Sequence, residues 1–353
     1  MAKQTVGLKI GASQLTAACL DLNGEARLVQ VAREPLAPGI VTGGEVRDVP
    51  ALAETLKNFF KRHGLPRRSV RIGIANNRIG VRTIEVSGIE DEQQLANAVR
   101  FRAQEALPIP VHEAVLDFQV LSEGTDAEGT PTRRVLLVVA YRDLVDAYAQ
   151  ACRDAGLRLT GVDLEAFALL RALTPPANLG MLDRSALVAV AIGAERSTLA
   201  VSDGFSCEFT RVLEWGGTAL TGALARSLNI DPVAAEELKT RLSLEAGQVP
   251  DGVTIEEATQ AREALRGALN GFARELVSSL QFYQSQPDSL GIREVVLAGG
   301  TAQLGGLAAA LEQLVGVSVR IGDPLVGVSV GKRVKGDAPP VSLAVPIGLG
   351  MAL

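Results

Sequence analysis

The chain holds 353 residues, 47% of them hydrophobic and 21% charged, with a formal net charge of −5. That length allows two or more domains with a sizeable core, and the acidic balance excludes a nucleic-acid binder. Three isolated cysteines (Cys19, Cys152, Cys207) and only two histidines (His63, His112) exclude a disulfide framework, a zinc site and histidine-based chemistry.

The opening residues lead straight into a strand with no signal-peptide layout. No apolar run approaches the ~20 residues that span a bilayer. Strands are predicted over 5–10, 15–20 and 25–33, the second turn being marked by Asn23-Gly24. An amphipathic helix follows over 50–63, then strands over 70–75 and 80–86. A helix over 91–107 is stopped by Pro108 and Pro110. Strands over 114–121 and 133–141 and a helix over 143–155 complete a β-α-β-β unit that interrupts the first half.

From Ala186 the opening pattern returns. Ile-Gly-Ala-Ser at 10–13 reappears as Ile-Gly-Ala-Glu at 192–195, which sets Thr16 on Thr198, Ala18 on Ala200 and Asp21 on Asp203. A hairpin turn at Asp203-Gly204 precedes a third strand over 205–213. Two similar three-stranded meanders thus begin the two halves, which predicts duplicated lobes. Tight turns of Gly, Ala and Ser offer backbone N–H groups of the kind that hold a phosphate. Near the C-terminus a strand over 294–297 runs into Gly299-Gly300-Thr301, with a helix expected from about Gln303; glycines here let a backbone approach a ligand closely. Gly216-Gly217 is expected to face the same cleft.

These signals, in this order, resemble the actin-like ATPase superfamily, in which each of two lobes contributes a phosphate-binding hairpin and a Gly-Gly turn supports the adenosine. Glu236, Lys239 and Ser243 in "EELKTRLS" match, at one spacing and on one helical face, the helix with which chaperone members hold adenosine. The insertion resembles that of the cell-division protein FtsA and of the type IV pilus assembly PilM family. "VRFRAQEALPIPVHEAVLDFQVL", "LARSLNIDPVAAEELK" and the terminal "LAVPIGLGMAL" are the more PilM-like stretches.

The resemblance implies an α/β, actin-like (ribonuclease-H-like, duplicated) fold with a small inserted β-α-β-β domain. The implied division is 1–86 with 157–184 as first lobe, 87–156 as insertion, 185–235 with 288–353 as second lobe, and 236–287 as its helical subdomain. It implies ATP or ADP held by Gly11, Ala12, Ser13, Gly193, Ala194, Glu195, Ser197, Gly216, Gly217, Glu236, Lys239, Ser243, Gly299, Gly300 and Thr301. It also implies a cytoplasmic place under the inner membrane, through the N-terminal tail of a PilN-like membrane protein and other pilus components. The apolar C-terminus reads as a buried closing helix, not a membrane anchor.

One departure stands out. Active actin-like ATPases carry an acid two places before each hairpin glycine, where it organises Mg²⁺; here those places hold Lys9 and Ala191. Mg²⁺ ordinarily needs one or two carboxylates beside the substrate phosphates. Lys9 is left with two readings, a direct partner of a phosphate or a side chain reaching solvent. Both imply weak or absent Mg²⁺ dependence, no catalytic or metal-ligating residue, and a pilus assembly platform without efficient hydrolysis. The competing readings are an active ATPase and a filament-forming cell-division protein.

Overall fold

The computed structural model describes residues 4–89, 91–106, 110–174, 185–247, 249–287, 289–336 and 338–352. The first half runs β1 (Gln4–Ile10), β2 (Gln14–Asp21), β3 (Arg27–Pro35), the short pair β4 (Val41–Thr42) and β5 (Glu45–Val46), then α1 (Val49–His63) and β6 (Val70–Ile74). Next come β7 (Ile79–Ser87), α2 (Glu92–Ala106), β8 (Ala114–Thr125), β9 (Pro131–Tyr141), α3 (Arg142–Asp154), β10 (Leu159–Leu164) and α4 (Glu165–Leu173). The second half runs β11 (Ser185–Ile192), β12 (Ser197–Ser202), β13 (Cys207–Leu213), α5 (Gly217–Leu228), α6 (Pro232–Arg241) and α7 (Ile255–Gln284). It closes with β14 (Gly291–Ala298), α8 (Leu307–Val315), β15 (Ser318–Ile321), β16 (Ser329–Lys335) and α9 (Ala344–Met351).

Local chemistry sets many of these boundaries. Asp48 caps α1 by accepting the Ala51 N–H at 2.9 Å, and Gly64 ends it with a left-handed φ of 62°. Thr254 and Glu257 form a reciprocal capping box at the start of α7. The Asp203 carboxylate accepts the N–H groups of Phe205 and Ser206, so the strand expected from 205 starts instead at Cys207.

The duplication is visible in the topology. One sheet runs β10-β6-β1-β2-β3-β16, the other β15-β14-β11-β12-β13. In each, the first hairpin strand pairs antiparallel with the second and parallel with a later strand. The interruption forms its own antiparallel sheet, β7-β9-β8, whose core joins Val86, Val135 and Leu137 to Leu95 and Val99 of α2.

Several elements sit elsewhere than the expected division. β7, expected in the first lobe, belongs to the inserted sheet through its pairing with β9. α3, expected in the insertion, buries Leu144, Tyr148, Ala151 and Cys152 in the core beneath the first sheet, because its apolar stripe faces α1. β16 and α9, expected in the second lobe, return to the first: β16 pairs parallel with β3, and α9 packs on β1, β2 and α4. The helix expected from Gln303 is a single 3₁₀ turn at Gly300–Gln303, and α8 begins after Gly306. Pro108 and Ile109 of the expected helix stop lie outside the described residues.

Close approach decides where α9 sits. A Cβ on Gly7 would lie 1.9 Å from the Pro346 carbonyl oxygen, and one on Gly348 would lie 1.8 Å from that of Ala168. Residues 344–350 are all buried. Among the described residues no helix is long and apolar enough to cross a membrane.

Candidate functional site: a cleft between two matched hairpins

The two hairpin turns have the same construction. The Gly11 N–H donates to the Gln14 carbonyl at 3.0 Å, and the Gly193 N–H donates to the Arg196 carbonyl at 2.8 Å. In register, Lys9 faces Thr16 and Ala191 faces Thr198. Directly opposed residues of an antiparallel pair project from one face, and Thr16 and Thr198 both line the cleft.

The wider part of the cleft has a volume of about 640 Å³ and is lined by Ser13, Gly193, Ala194, Gly217, Glu236, Lys239, Gly300 and Thr301, among others. Its second-lobe wall is set by α5. The Gly193 carbonyl accepts the Gly217 N–H at 2.9 Å and the Thr301 hydroxyl at 3.0 Å, and the Ala194 carbonyl accepts the Thr218 N–H at 2.8 Å. The hairpin's carbonyls therefore satisfy the free amides of a helix N-terminus. Glycine is required at this junction, since a Cβ on Gly216 would lie 2.4 Å from the Ala194 oxygen and one on Gly217 2.6 Å from Thr301 Oγ1.

Lys239 is buried, and its ammonium donates to the Gly217 carbonyl at 3.2 Å, Thr221 Oγ1 at 3.0 Å and Glu236 Oε2 at 2.6 Å. The Thr221 hydroxyl also donates to Glu236. All three donors of the ammonium are thus used within the protein, and Lys239 fixes α6 against α5 while Glu236 remains half exposed at the cavity edge.

The narrow end of the cleft, of about 80 Å³, lies between Lys9, Gly11, Ala12, Ser13 and Gln14 on one side and Gly193, Ala194, Glu195 and Arg196 on the other. Here Lys9 lines the cleft and is paired within the protein, not turned out to solvent. Its ammonium lies 3.0 Å from Glu165 Oε2, with 19% and 8% of the two side chains exposed. Glu165 is the first residue of α4, where a carboxylate is favoured by the helix dipole. Glu195 is engaged as well: its Oε2 accepts the Gly43 N–H at 2.9 Å. Next to it, Arg196 donates to the Ala75 carbonyl at 3.3 Å and from Nε to Glu214 at 3.1 Å. Tyr148 donates to the Gly44 carbonyl at 3.1 Å, and burial pushes its phenol above the usual tyrosine range, keeping it a neutral donor.

Of the residues expected at a nucleotide, Lys9, Gly11, Ala12, Ser13, Gly193, Ala194, Glu195, Gly217, Glu236, Lys239, Gly299, Gly300 and Thr301 line one or both parts of this cleft. Three lie outside its lining. Ser197 is fully buried and donates to the Trp215 carbonyl at 2.7 Å. Gly216 sits against the Ala194 backbone. Ser243 forms a parallel bridge with Gly305 past the end of α6, so the expected third position of that helix face is no longer helical. Glu165, Arg196 and Tyr148 also line the cleft, and sequence reasoning missed them. The acid opening α4 and the place of Arg196 between Glu195 and Ser197 in the second turn were the available signals, whereas only the tertiary fold carries Tyr148 to this place.

The donor set separates two groups that a fold of this kind can hold. Glycine turns whose outer amides lie beyond the closing hydrogen bonds, beside a 640 Å³ chamber, fit a nucleotide. A divalent cation fits poorly. The two carboxylates of the narrow end are committed to Lys9 and to the Gly43 amide. Among the described residues no three His, Cys, Asp or Glu side chains are grouped to hold a metal ion.

Comparison with known proteins agrees with this geometry. The cell division protein FtsA of Escherichia coli (strain K12) is 24% identical over 361 residues, covering 92% of this chain and 84% of that protein. FtsA of Bacillus subtilis (strain 168) is 21% identical over 314 residues, covering 80% and 70%. The solved PilM-PilN type IV pilus biogenesis complex matches with a TM-score of 0.82 and 29% identity, over 98% of this chain and 97% of the matched one. MreB 5 of Spiroplasma citri bound to AMPPNP matches at a TM-score of 0.59 and 12% identity over 99% and 95%, a likeness of fold alone. The fold is therefore actin-like. A family model described as type IV pilus assembly protein PilM matches residues 7–353, and the chain belongs to that family.

Proposed function

We propose that this protein is an actin-like assembly platform of a type IV pilus or related secretion machine. In this reading it carries ATP or ADP between its two hairpins and binds the N-terminal tail of a PilN-like inner-membrane protein, without hydrolysing nucleotide efficiently. The observation that carries the reading is the Lys9–Glu165 pair at 3.0 Å. Metal-assisted attack on a phosphoanhydride needs a cation that lowers the pKa of water and clamps the phosphates. A lysine stands where such a cation's ligand is expected, and it occupies the nearest carboxylate. A fixed ammonium supplies charge but cannot activate a water.

The partner is supported by the likeness to the PilM-PilN complex over nearly the whole chain. An extended tail laid between the first lobe and the inserted domain would bind through main-chain hydrogen bonds and alternate side-chain pockets. Attachment beneath the inner membrane then comes through that tail.

Two measurements test the proposal. A fluorescent peptide from the cytoplasmic N-terminus of the neighbouring PilN-like protein is titrated with the chain and read by polarisation; saturable binding is expected, and its absence removes the partner. Phosphate release from ATP with Mg²⁺ is expected at background, and brisk turnover overturns the platform reading.

A further inference from the structure

We infer that the narrow end of the cleft takes a nucleoside diphosphate without a divalent cation, and that Glu195 sets this limit. The inference rests on the nucleotide-binding reading above and goes on to name the ligand's phosphate number and metal state.

The first ground is the shape of the cleft, which narrows past the hairpin turns. The chamber beside α5 and α6 offers about 640 Å³, while the end beyond the hairpin turns offers about 80 Å³. The small volume results from a closure across the two sheets. Glu195 and Arg196 leave the second hairpin and meet the turn between β4 and β5, where Gly43 and Gly44 have φ of 59° and 68°. A Cβ on Gly43 would lie 2.9 Å from the Arg196 guanidinium, and one on Gly44 would lie 2.4 Å from the Ala75 oxygen and 2.7 Å from that guanidinium. The turn is thus shaped to receive Arg196. It is also held from its own side, since Asn76 donates to the Gly43 carbonyl at 3.0 Å and Tyr148 to that of Gly44.

The second ground is charge. Lys9 is paired with Glu165 and Arg196 with Glu214, which leaves the Glu195 carboxylate without a cationic partner among the described residues of this end. The inner phosphates of a nucleotide meet the backbone amides of the two turns, which suit anions. A third phosphoryl group meets the Glu195 carboxylate, with no uncommitted cation among the described residues of this end to offset it. A bound Mg²⁺ ordinarily bridges such a repulsion, and here one oxygen of each carboxylate is already engaged, that of Glu165 by Lys9 and that of Glu195 by the Gly43 amide.

Isothermal titration calorimetry of the full chain with ADP and with ATP, each in EDTA and in Mg²⁺, tests this. We expect ADP to bind at least about tenfold more tightly than ATP, a difference of ~1.4 kcal/mol, and EDTA to change ADP affinity less than twofold. Glu195→Gln keeps an acceptor for the Gly43 amide and removes the charge; it should reduce the ADP preference at least threefold. Glu195→Ala, which also opens the wall, should reduce it further, with circular dichroism confirming that both variants fold. ATP binding as tightly as ADP, an ADP affinity that rises with Mg²⁺, or a preference unmoved in a folded Glu195→Gln protein overturns the inference while leaving nucleotide binding in place. No heat with either nucleotide overturns the nucleotide-binding reading, and this inference with it.

Discussion

Lys9 of β1 and Glu165 of α4 form an ion pair at the floor of the cleft, 3.0 Å apart and largely shielded from solvent. Removing one partner of such a pair leaves the other charge uncompensated in a poorly hydrated place, at a cost of about 3 kcal/mol. Lys9→Met and Glu165→Gln should each lower stability by roughly that amount in urea unfolding at pH 7. The double variant should lose at least about 1 kcal/mol less than the sum, because neither orphan remains. Additive losses would mean the two residues act independently.

The same pair bears on metal coupling. Lys9→Asp together with Ala191→Asp frees Glu165 and places acids at both matched hairpin positions. Calorimetry should then show nucleotide affinity rising about tenfold or more on adding Mg²⁺. If affinity is no more Mg²⁺-dependent than in the parent, these two positions do not govern the metal.

Gly217 should be intolerant of a side chain for a reason separable from stability. A Cβ there meets Thr301 Oγ1 at 2.6 Å and Lys239 Nζ at 3.2 Å, both on the wall of the wide chamber. Gly217→Ala is expected to weaken nucleotide binding about tenfold while the urea midpoint moves less than in the variants that follow. Unchanged affinity would place Gly217 outside the ligand's surroundings.

Gly7→Ala and Gly348→Ala introduce methyl groups into backbone contacts under 2 Å. Overpacking of this kind costs about 1–3 kcal/mol or somewhat more. Each variant should show a urea midpoint lowered with m nearly unchanged, as α9 is pushed off β1 or α4. A neutral Gly348→Ala would contradict the packing of α9.

All three cysteines are buried, and burial pushes the Cys19 thiol up to about 11 and those of Cys152 and Cys207 to about 12. Ellman's reagent at pH 8 should label none of them in the native protein and all three in guanidinium. Rapid labelling of one thiol in native buffer would indicate local opening around it.

How far the sequence led depended on how local each signal was. Repeated Ile-Gly-Ala turns and hairpin dipeptides act over a few positions, so the matched hairpins and most elements before Gly156 were legible in the residues themselves, and the actin-like class came through their resemblance to that superfamily. The turn glycines of the site were legible for the same reason. The ownership of β7, α3, β16 and α9 was not, because strand pairing and stripe-to-stripe packing join segments far apart in the chain. Nor was the chemistry of the narrow end. Lys9 alone suggested a phosphate or solvent, but the fold brings Glu165 to it from α4 and carries Glu195 and Arg196 across to Gly43 and Ala75. By itself the sequence determined that Lys9 and Ala191 stand at the matched positions of the duplicated turns, since identity at a position is a covalent fact. Which charges meet there was decided only by tertiary structure, because an ion pair depends on distance in space, and nothing local to Lys9 encodes the approach of Glu165.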